Sequence, residues 1–213
     1  AEGVTRVVPI SALGADAQSE SKYARTKAEG EAAVREIYPD AVVIRPSIMF
    51  GAGDSFFNRF AAMAQTSPVL PLIGGGHTRF QPVFVGDVAL AIARAVALPE
   101  AAGQTYELGG AGVFSFKALM QLMLTEINKR RILLPLPWPA ASLAGGLGDL
   151  AGMVIAPPIT SDQVTLLKTD NVVSGACPGL AELGITPATL EAVLPTYLYR
   201  YRKGGQYADQ EDR

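Results

Sequence analysis

Tyr23 and Lys27, in the stretch YARTK, stand four residues apart. On a helix this spacing puts both side chains on one face, about a turn apart. An ammonium beside a phenol favours the phenolate and lowers a pKa that is near 10 when unperturbed. A tyrosine so placed exchanges a proton near neutral pH. The same spacing also describes two ordinary solvated side chains, since Y-x-x-x-K matches arise often by chance. The elements that carry the pair must decide between these readings.

Upstream, VTRVVPIS (4–11) is a short apolar, β-branched run, predicted to be a buried strand ending at Ser11. A polar loop leads into a helix predicted from Lys22 to Tyr38, rich in Ala, Glu, Lys and Arg. AVVIRPS (41–47) is a second apolar run, closed by Pro46. Strand, helix and strand in succession make a βαβ unit, whose two strands are parallel and whose crossover is right-handed. The fold class is α/β. Further on, SFFNRFAAMAQTS is predicted helical, PVLPLIGGGHTRFQ a loop with an extended stretch, and PVFVGDVALAIARAVAL a strand turning into a helix with Asp87 as its cap. GQTYELGG is a further strand, and SFKALMQLMLTEINKR a helix with Ser115 at its N-cap.

Composition narrows the function classes. Eighteen basic against 20 acidic residues, a net charge of −2 and no long run of one sign leave no electrostatic footprint for nucleic acid. One cysteine, Cys177, and one histidine, His77, exclude a disulfide framework and a His/Cys metal cluster, so no metal site is expected. The start, AEGVTRVVPIS, has no signal-peptide pattern. The apolar region 132–159 is broken by prolines and Asp149, short of the ~20 uninterrupted apolar residues that span a bilayer. It can still lie against a membrane or a partner.

Two glycine clusters imitate a phosphate-binding loop, which needs glycines between a strand and a helix N-terminus. GLGDLA (146–151) follows no strand and brings Asp149 next to where a phosphate would lie. GGAGVFS (109–115) places Phe114 and Ser115 where the motif tightens. Both read as turn glycines.

A strand with Ser11, a Y-x-x-x-K helix, a strand into RPSIMFG and a later VFVGDVA occur in one order. That order resembles the C-terminal two-thirds of the short-chain dehydrogenase/reductase superfamily, in its extended and atypical NAD-dependent epimerase/dehydratase branch. SKYARTKAEGEAAVREIYPDAVVIRPSIMFGAGDSFFNRFA, SDQVTLLKTDNVV and LPTYLYRYRKGGQY further resemble the NADPH-binding, reductase-like accessory subunits of respiratory complex I and their bacterial relatives. The resemblance implies a C-terminal part of a Rossmann-type doubly wound parallel sheet over 1–110, interleaved with lobe segments, and a small helical lobe over 111–213. It implies NADP(H) or NAD(H) as cofactor, with Ser11, Tyr23, Lys27, Pro46, Ser47 and Ile48 facing it. Tyr23, Lys27 and Ser11 are then the catalytic set, and Lys27 also bonds the nicotinamide ribose. The implied partners are complex I subunits. The implied location is cytoplasmic or peripheral on the cytoplasmic face of a bacterial inner membrane.

Two departures matter. The resemblance implies that active members usually carry a second hydroxyl after the strand-end serine. In one alignment Ala12 stands there, and losing such a preorganised donor costs on the order of a hundredfold in rate, whereas an alignment shifted by one residue gives that role to Ser11. The resemblance also starts at what corresponds to the fifth strand, so the N-terminal dinucleotide-binding half is expected outside these residues. By themselves they are then expected to bind dinucleotide weakly and to associate through an exposed sheet edge. The main expectation is a dinucleotide-binding accessory protein with little catalysis. The rival is an active oxidoreductase or epimerase, for instance in quinone or isoprenoid metabolism.

Overall fold

The computed structural model describes residues 3–151, 160–205 and 207. In chain order its elements are α1 (Lys22–Ile37), β1 (Val43–Pro46), β2 (Met49–Phe50), α2 (Phe57–Thr66), β3 (Val69–Ile73), β4 (Arg79–Phe80), β5 (Val83–Phe84), α3 (Val85–Ala97), β6 (Thr105–Leu108), β7 (Phe114–Ser115), α4 (Phe116–Glu126), β8 (Ile132–Leu136), α5 (Trp138–Ala151), α6 (Ser161–Leu166), α7 (Leu190–Val193) and α8 (Pro195–Leu198). The described residues divide into two compact units, each discontinuous in sequence. One holds the chain up to Met49 with Gln81–Val113 and Asn171–Ala188; the other holds Phe50–Phe80, Phe114–Asp170 and the chain from Thr189.

In the first unit α1 begins where the Ser21 hydroxyl accepts from the Ala24 N–H at 3.3 Å, satisfying one of the donors a helix start leaves free. It stops before Pro39, which disfavours helical backbone in the residue ahead of it. β1 is fully buried over Val43 and Ile44 and pairs in parallel with β6, in the register Val43↔Thr105 to Pro46↔Leu108. The predicted first strand runs parallel along the other side of β1. Val42 and Ile44 N–H donate to Val7 and Pro9 carbonyls at 3.0 and 3.1 Å, and Ser11 N–H to Ile44 O at 2.7 Å. It forms only an isolated bridge rather than a regular strand, because Pro9 supplies no N–H to a ladder. The α/β class with parallel strands therefore holds.

The outer edge of β6 is covered by the segment Asn171–Ala188, through Glu107 N–H to Pro178 O at 2.9 Å. One face of the sheet packs Val42, Ile44, Tyr106 and Leu108 against Val88, Ala91 and Ala95 of α3 and against Leu180, Leu183 and Ile185. Each of the valine, leucine and isoleucine side chains contributes about 1.5–3 kcal/mol of burial. Asp87 does not cap α3: Phe84 holds the N-cap position, and Asp87 sits in the first turn with its carboxylate accepting from Ala188 N–H at 2.8 Å. Its reach to a distant backbone donor outweighs the local capping geometry.

In the second unit β3 pairs in parallel with β8, and β4 antiparallel with β7. Phe56, Phe57, Phe60, Phe80 and Phe116 cluster edge to face or tilted, with centroids 5.1 to 6.3 Å apart. Ser115 caps α4 as predicted, accepting from Ala118 N–H at 3.1 Å. Of the apolar region 132–159, Ile132–Leu136 is β8 and Trp138–Ala151 is α5, while 152–159 lie outside the described residues. Gly146 and Gly148 are inside α5, so GLGDLA is no loop. No described helix is long and apolar enough to cross a membrane.

Candidate functional site

Parallel strands collect ligand-facing groups beyond their carboxyl ends, and there the first unit carries the residues singled out from the sequence. On α1, Tyr23, Lys27 and Glu31 recur at four-residue spacing and share one face. The Lys27 ammonium lies 5.6 Å from the Tyr23 ring centroid and donates to Ile10 O at 3.4 Å, beside Ser11. The pair is thus together at the end of the first extended segment.

Its electrostatics differ from the sequence expectation. Burial pushes the Tyr23 phenol up from its ordinary value, although the residue is 45% exposed, and the ammonium lies over the ring face instead of pairing with the hydroxyl. Tyr23 is therefore a neutral phenol at physiological pH. An ammonium above a ring gains from the π face without stabilising the phenolate oxygen.

Ser11 is buried, and its hydroxyl makes no hydrogen bond of ordinary length and angle among the described residues. It lies close enough to the Glu31 carboxyl to help hold it ionised. Burial raises the Glu31 pKa, but hydrogen bonds from Arg45 outweigh that and leave it lowered. The Arg45 guanidinium grips Glu31 with Nε at 2.8 Å and a terminal nitrogen at 2.6 Å, the two-pronged geometry that suits a carboxylate. This buried pair ties the Tyr23 helix to β1. Neither Glu31 nor the pairing of Arg45 was read from the sequence. The available signal was that Glu31 repeats the Tyr23–Lys27 spacing once more.

Beyond β1, Pro46 and Ser47 are buried and Ile48 is half-buried. Pro46 O accepts from Leu13 N–H at 3.0 Å and Ser47 N–H donates to Leu108 O at 2.9 Å, which pins the start of the loop. The Ser47 hydroxyl donates to Asn171 Oδ1 at 2.6 Å and Ile48 N–H donates to the same oxygen at 3.0 Å. Asn171 is far along the chain and was also missed. Gln81 continues the network: its carboxamide donates to Gly110 O at 3.0 Å and accepts from Val173 N–H at 3.3 Å. Gly109 and Gly110 are required by this packing, because a Cβ on Gly110 would lie 1.8 Å from Pro82 O. GGAGVFS is thus a close-approach turn. Glu107 on β6, the cross-strand partner of Arg45 on β1, accepts from Ser174 N–H and hydroxyl at 2.6 and 2.8 Å. A cavity of about 290 Å³ lies beside it, lined by Gln81, Glu107, Cys177 and Ile185 among others.

The residues fit one edge of a nicotinamide dinucleotide. Lys27 has three N–H donors, of which one is used on Ile10 O, leaving capacity for ribose hydroxyls. Ser11 carries a buried hydroxyl with bonding capacity unspent. Ser47 and Ile48, in contrast, spend their donors on Asn171, so they would line a ligand by shape and carbonyl groups. His77 is exposed, and no group of three potential metal-ligating side chains exists among the described residues.

Parallel strands, a Tyr–Lys helix crossing between them and a serine at the preceding strand end define an α/β protein of the short-chain dehydrogenase/reductase kind. Comparison with known proteins refines the class. The family model for the RmlD substrate binding domain matches residues 15–143, and the chain belongs to that family. NADH dehydrogenase (ubiquinone) 1 alpha subcomplex subunit 9, mitochondrial, from Arabidopsis thaliana is 36% identical over 210 residues, 95% of this chain and 52% of its own length. Its Rattus norvegicus counterpart is 37% identical over 201 residues, 94% of this chain and 52% of its own length. The chain spans about half the length of these curated relatives. Among solved structures, DesIV, a dTDP-glucose 4,6-dehydratase from Streptomyces venezuelae solved with NAD bound, matches with a TM-score of 0.66 at 18% identity. That match covers 99% of this chain and 62% of DesIV, and at this identity it is a likeness of fold.

Proposed function

We propose that this chain is the carboxyl-terminal part of a nicotinamide-dinucleotide-binding, short-chain-reductase-like protein that serves as an accessory or assembly subunit of an NADH:ubiquinone oxidoreductase, with little or no turnover of its own. The relatives named above, at 36 and 37% identity across nearly the whole chain, support the partner. On this reading Lys27 holds the nicotinamide ribose, Ser11 and Tyr23 line the same edge, and the Pro46–Ile48 loop borders the ring. The rest of the Rossmann-type sheet, with the pyrophosphate loop, belongs to a segment not among these residues. When bound, the dinucleotide supplies a hydride donor or acceptor; the protein groups here bind and orient it.

The observation that carries the low-turnover half is the state of the two hydroxyl-bearing residues. Ser11 is buried beside the Glu31–Arg45 ion pair, burial raises the Tyr23 phenol instead of lowering it, and Ala12 supplies no second donor. A site so arranged grips a cofactor more readily than it polarises a substrate carbonyl. The location that follows is peripheral, at an energy-transducing membrane.

The test is to isolate the native gene product from its own membranes and to release and identify any bound nucleotide. Co-isolation with the oxidoreductase and one NAD(H) or NADP(H) per chain is the expected result. Cofactor oxidation by the native protein that disappears in Tyr23→Phe would instead establish an active reductase.

A further inference from the structure

The loop after β1 is held by a side chain that lies more than a hundred residues away in sequence. Asn171 Oδ1 accepts both the Ser47 hydroxyl, at 2.6 Å, and Ile48 N–H, at 3.0 Å. Its own backbone carbonyl accepts from Gln81 N–H at 3.0 Å, and the Ser47 hydroxyl also lies 3.2 Å from that carbonyl. Through its side-chain and backbone oxygens Asn171 therefore joins three stretches of the first unit: the Ser47–Ile48 loop, the Gln81 turn and the segment Asn171–Ala188, with Oδ1 making the tie to the loop. Without Oδ1 the Ser47 hydroxyl still has the Asn171 backbone carbonyl within reach, whereas the Ile48 N–H loses its acceptor.

From this geometry we infer that Asn171 is the positioning residue of the dinucleotide site: it fixes Ser47 and Ile48 so that the loop presents a preformed wall to the nicotinamide end of the ligand. The inference rests on the dinucleotide-binding reading above. Asn171 touches no ligand in this scheme. It acts because an acceptor that closes two donors at once removes the loop's freedom before binding, and a preordered loop costs less to organise when the ligand arrives. No other side-chain acceptor serves Ile48 N–H among the hydrogen bonds of the described residues. Asparagine suits the position because its carbonyl oxygen takes two donors without a charge in a half-buried turn.

Three variants of the native protein test this: Asn171→Ala, Asn171→Asp and Ser47→Ala. The probes are NADH and NADPH, by titration calorimetry, and the exchange rates of the Ser47 and Ile48 backbone amides without nucleotide. In Asn171→Ala the Ile48 amide should exchange at least tenfold faster, while the Ser47 amide, bonded to Leu108 O, stays protected. Dinucleotide affinity should fall roughly tenfold. Asn171→Asp keeps the acceptor and should restore both readouts to within about threefold of the parent. Ser47→Ala removes one donor only and should give a smaller loss with Ile48 still protected, which keeps the test informative if Asn171→Ala fails to fold. Parent-like Ile48 exchange and parent-like affinity in Asn171→Ala would overturn the inference. Failure of the parent to bind either nucleotide, with Ile48 freed in the variant, overturns the cofactor reading and reduces Asn171 to a structural tie.

Discussion

Tyr23 and Lys27 are paired by spacing, and their orientation bears on what the pair can do. The i, i+4 relation requires only that the side chains share a helix face, and they do. Whether an ammonium lowers a phenol's pKa depends on where the charge sits relative to the oxygen, and here it sits over the ring. Burial then dominates and raises the pKa. Comparing phenolate absorbance in the protein with that of Tyr23→Phe should place the Tyr23 titration above pH 10; an inflection near neutrality would restore the acid–base reading. Ser11 was legible as a strand-end serine. Its closeness to Glu31 was not, because the serine and the glutamate are joined only when α1 lies on the sheet.

Elements were legible where local signals are strong. Ser21 and Ser115 cap α1 and α4, and their hydroxyls bond the third residue onward as capping requires. The ion pair that docks α1 on β1 yields a pH prediction. The Glu31 carboxyl is lowered from its reference of 4.5, the net of burial raising it and Arg45 lowering it further. Its contribution to stability is therefore fully present above about pH 4.5 and is lost as pH falls through the lowered folded value. Glu31→Gln should flatten the acid limb of a stability profile. It should also cost about 2 kcal/mol at pH 7, below the ~3–5 kcal/mol for breaking a fully buried pair, since Arg45 retains some solvent. Denaturant titrations at pH 7 and pH 4 measure both effects. In the turn after β6, Gly110→Ala sets a Cβ 1.8 Å from Pro82 O, against backbone that cannot rotate away. The expected loss is about 1–3 kcal/mol, by the same assay, whereas Gly30→Ala, with open space around it, should be tolerated.

At the scale of the molecule, the chain builds two compact units from interleaved segments, and the candidate site lies wholly in the one that contains α1, β1 and β6. A dinucleotide that binds there stabilises that unit by mass action, by about 2.7 kcal/mol at a ligand concentration one hundred times Kd. Hydrogen exchange of the native protein with and without NADPH or NADH should show added protection in residues 7–48, 81–110 and 171–188. Protection confined to the other unit would displace the site from where it is drawn. The covering of the β6 edge by Asn171–Ala188 explains why that late segment belongs with the first one: an open edge leaves backbone donors and acceptors unpaired, and Glu107 N–H finds its partner at Pro178.

By itself the sequence determined what depends on near neighbours: the starts of α1 and α4, the buried apolar run of β1, the parallel βαβ order and the shared face of Tyr23 and Lys27. These follow from periodicity, capping and chain connectivity, all of which act over a few residues. Only the tertiary structure decided the partners of charged and polar groups across long separations: Arg45 on Glu31, Ser174 on Glu107, Asp87 on the Ala188 amide, and Asn171 on Ser47 and Ile48. A buried polar atom must find a complement wherever the fold brings one. No local pattern encodes which distant residue that will be.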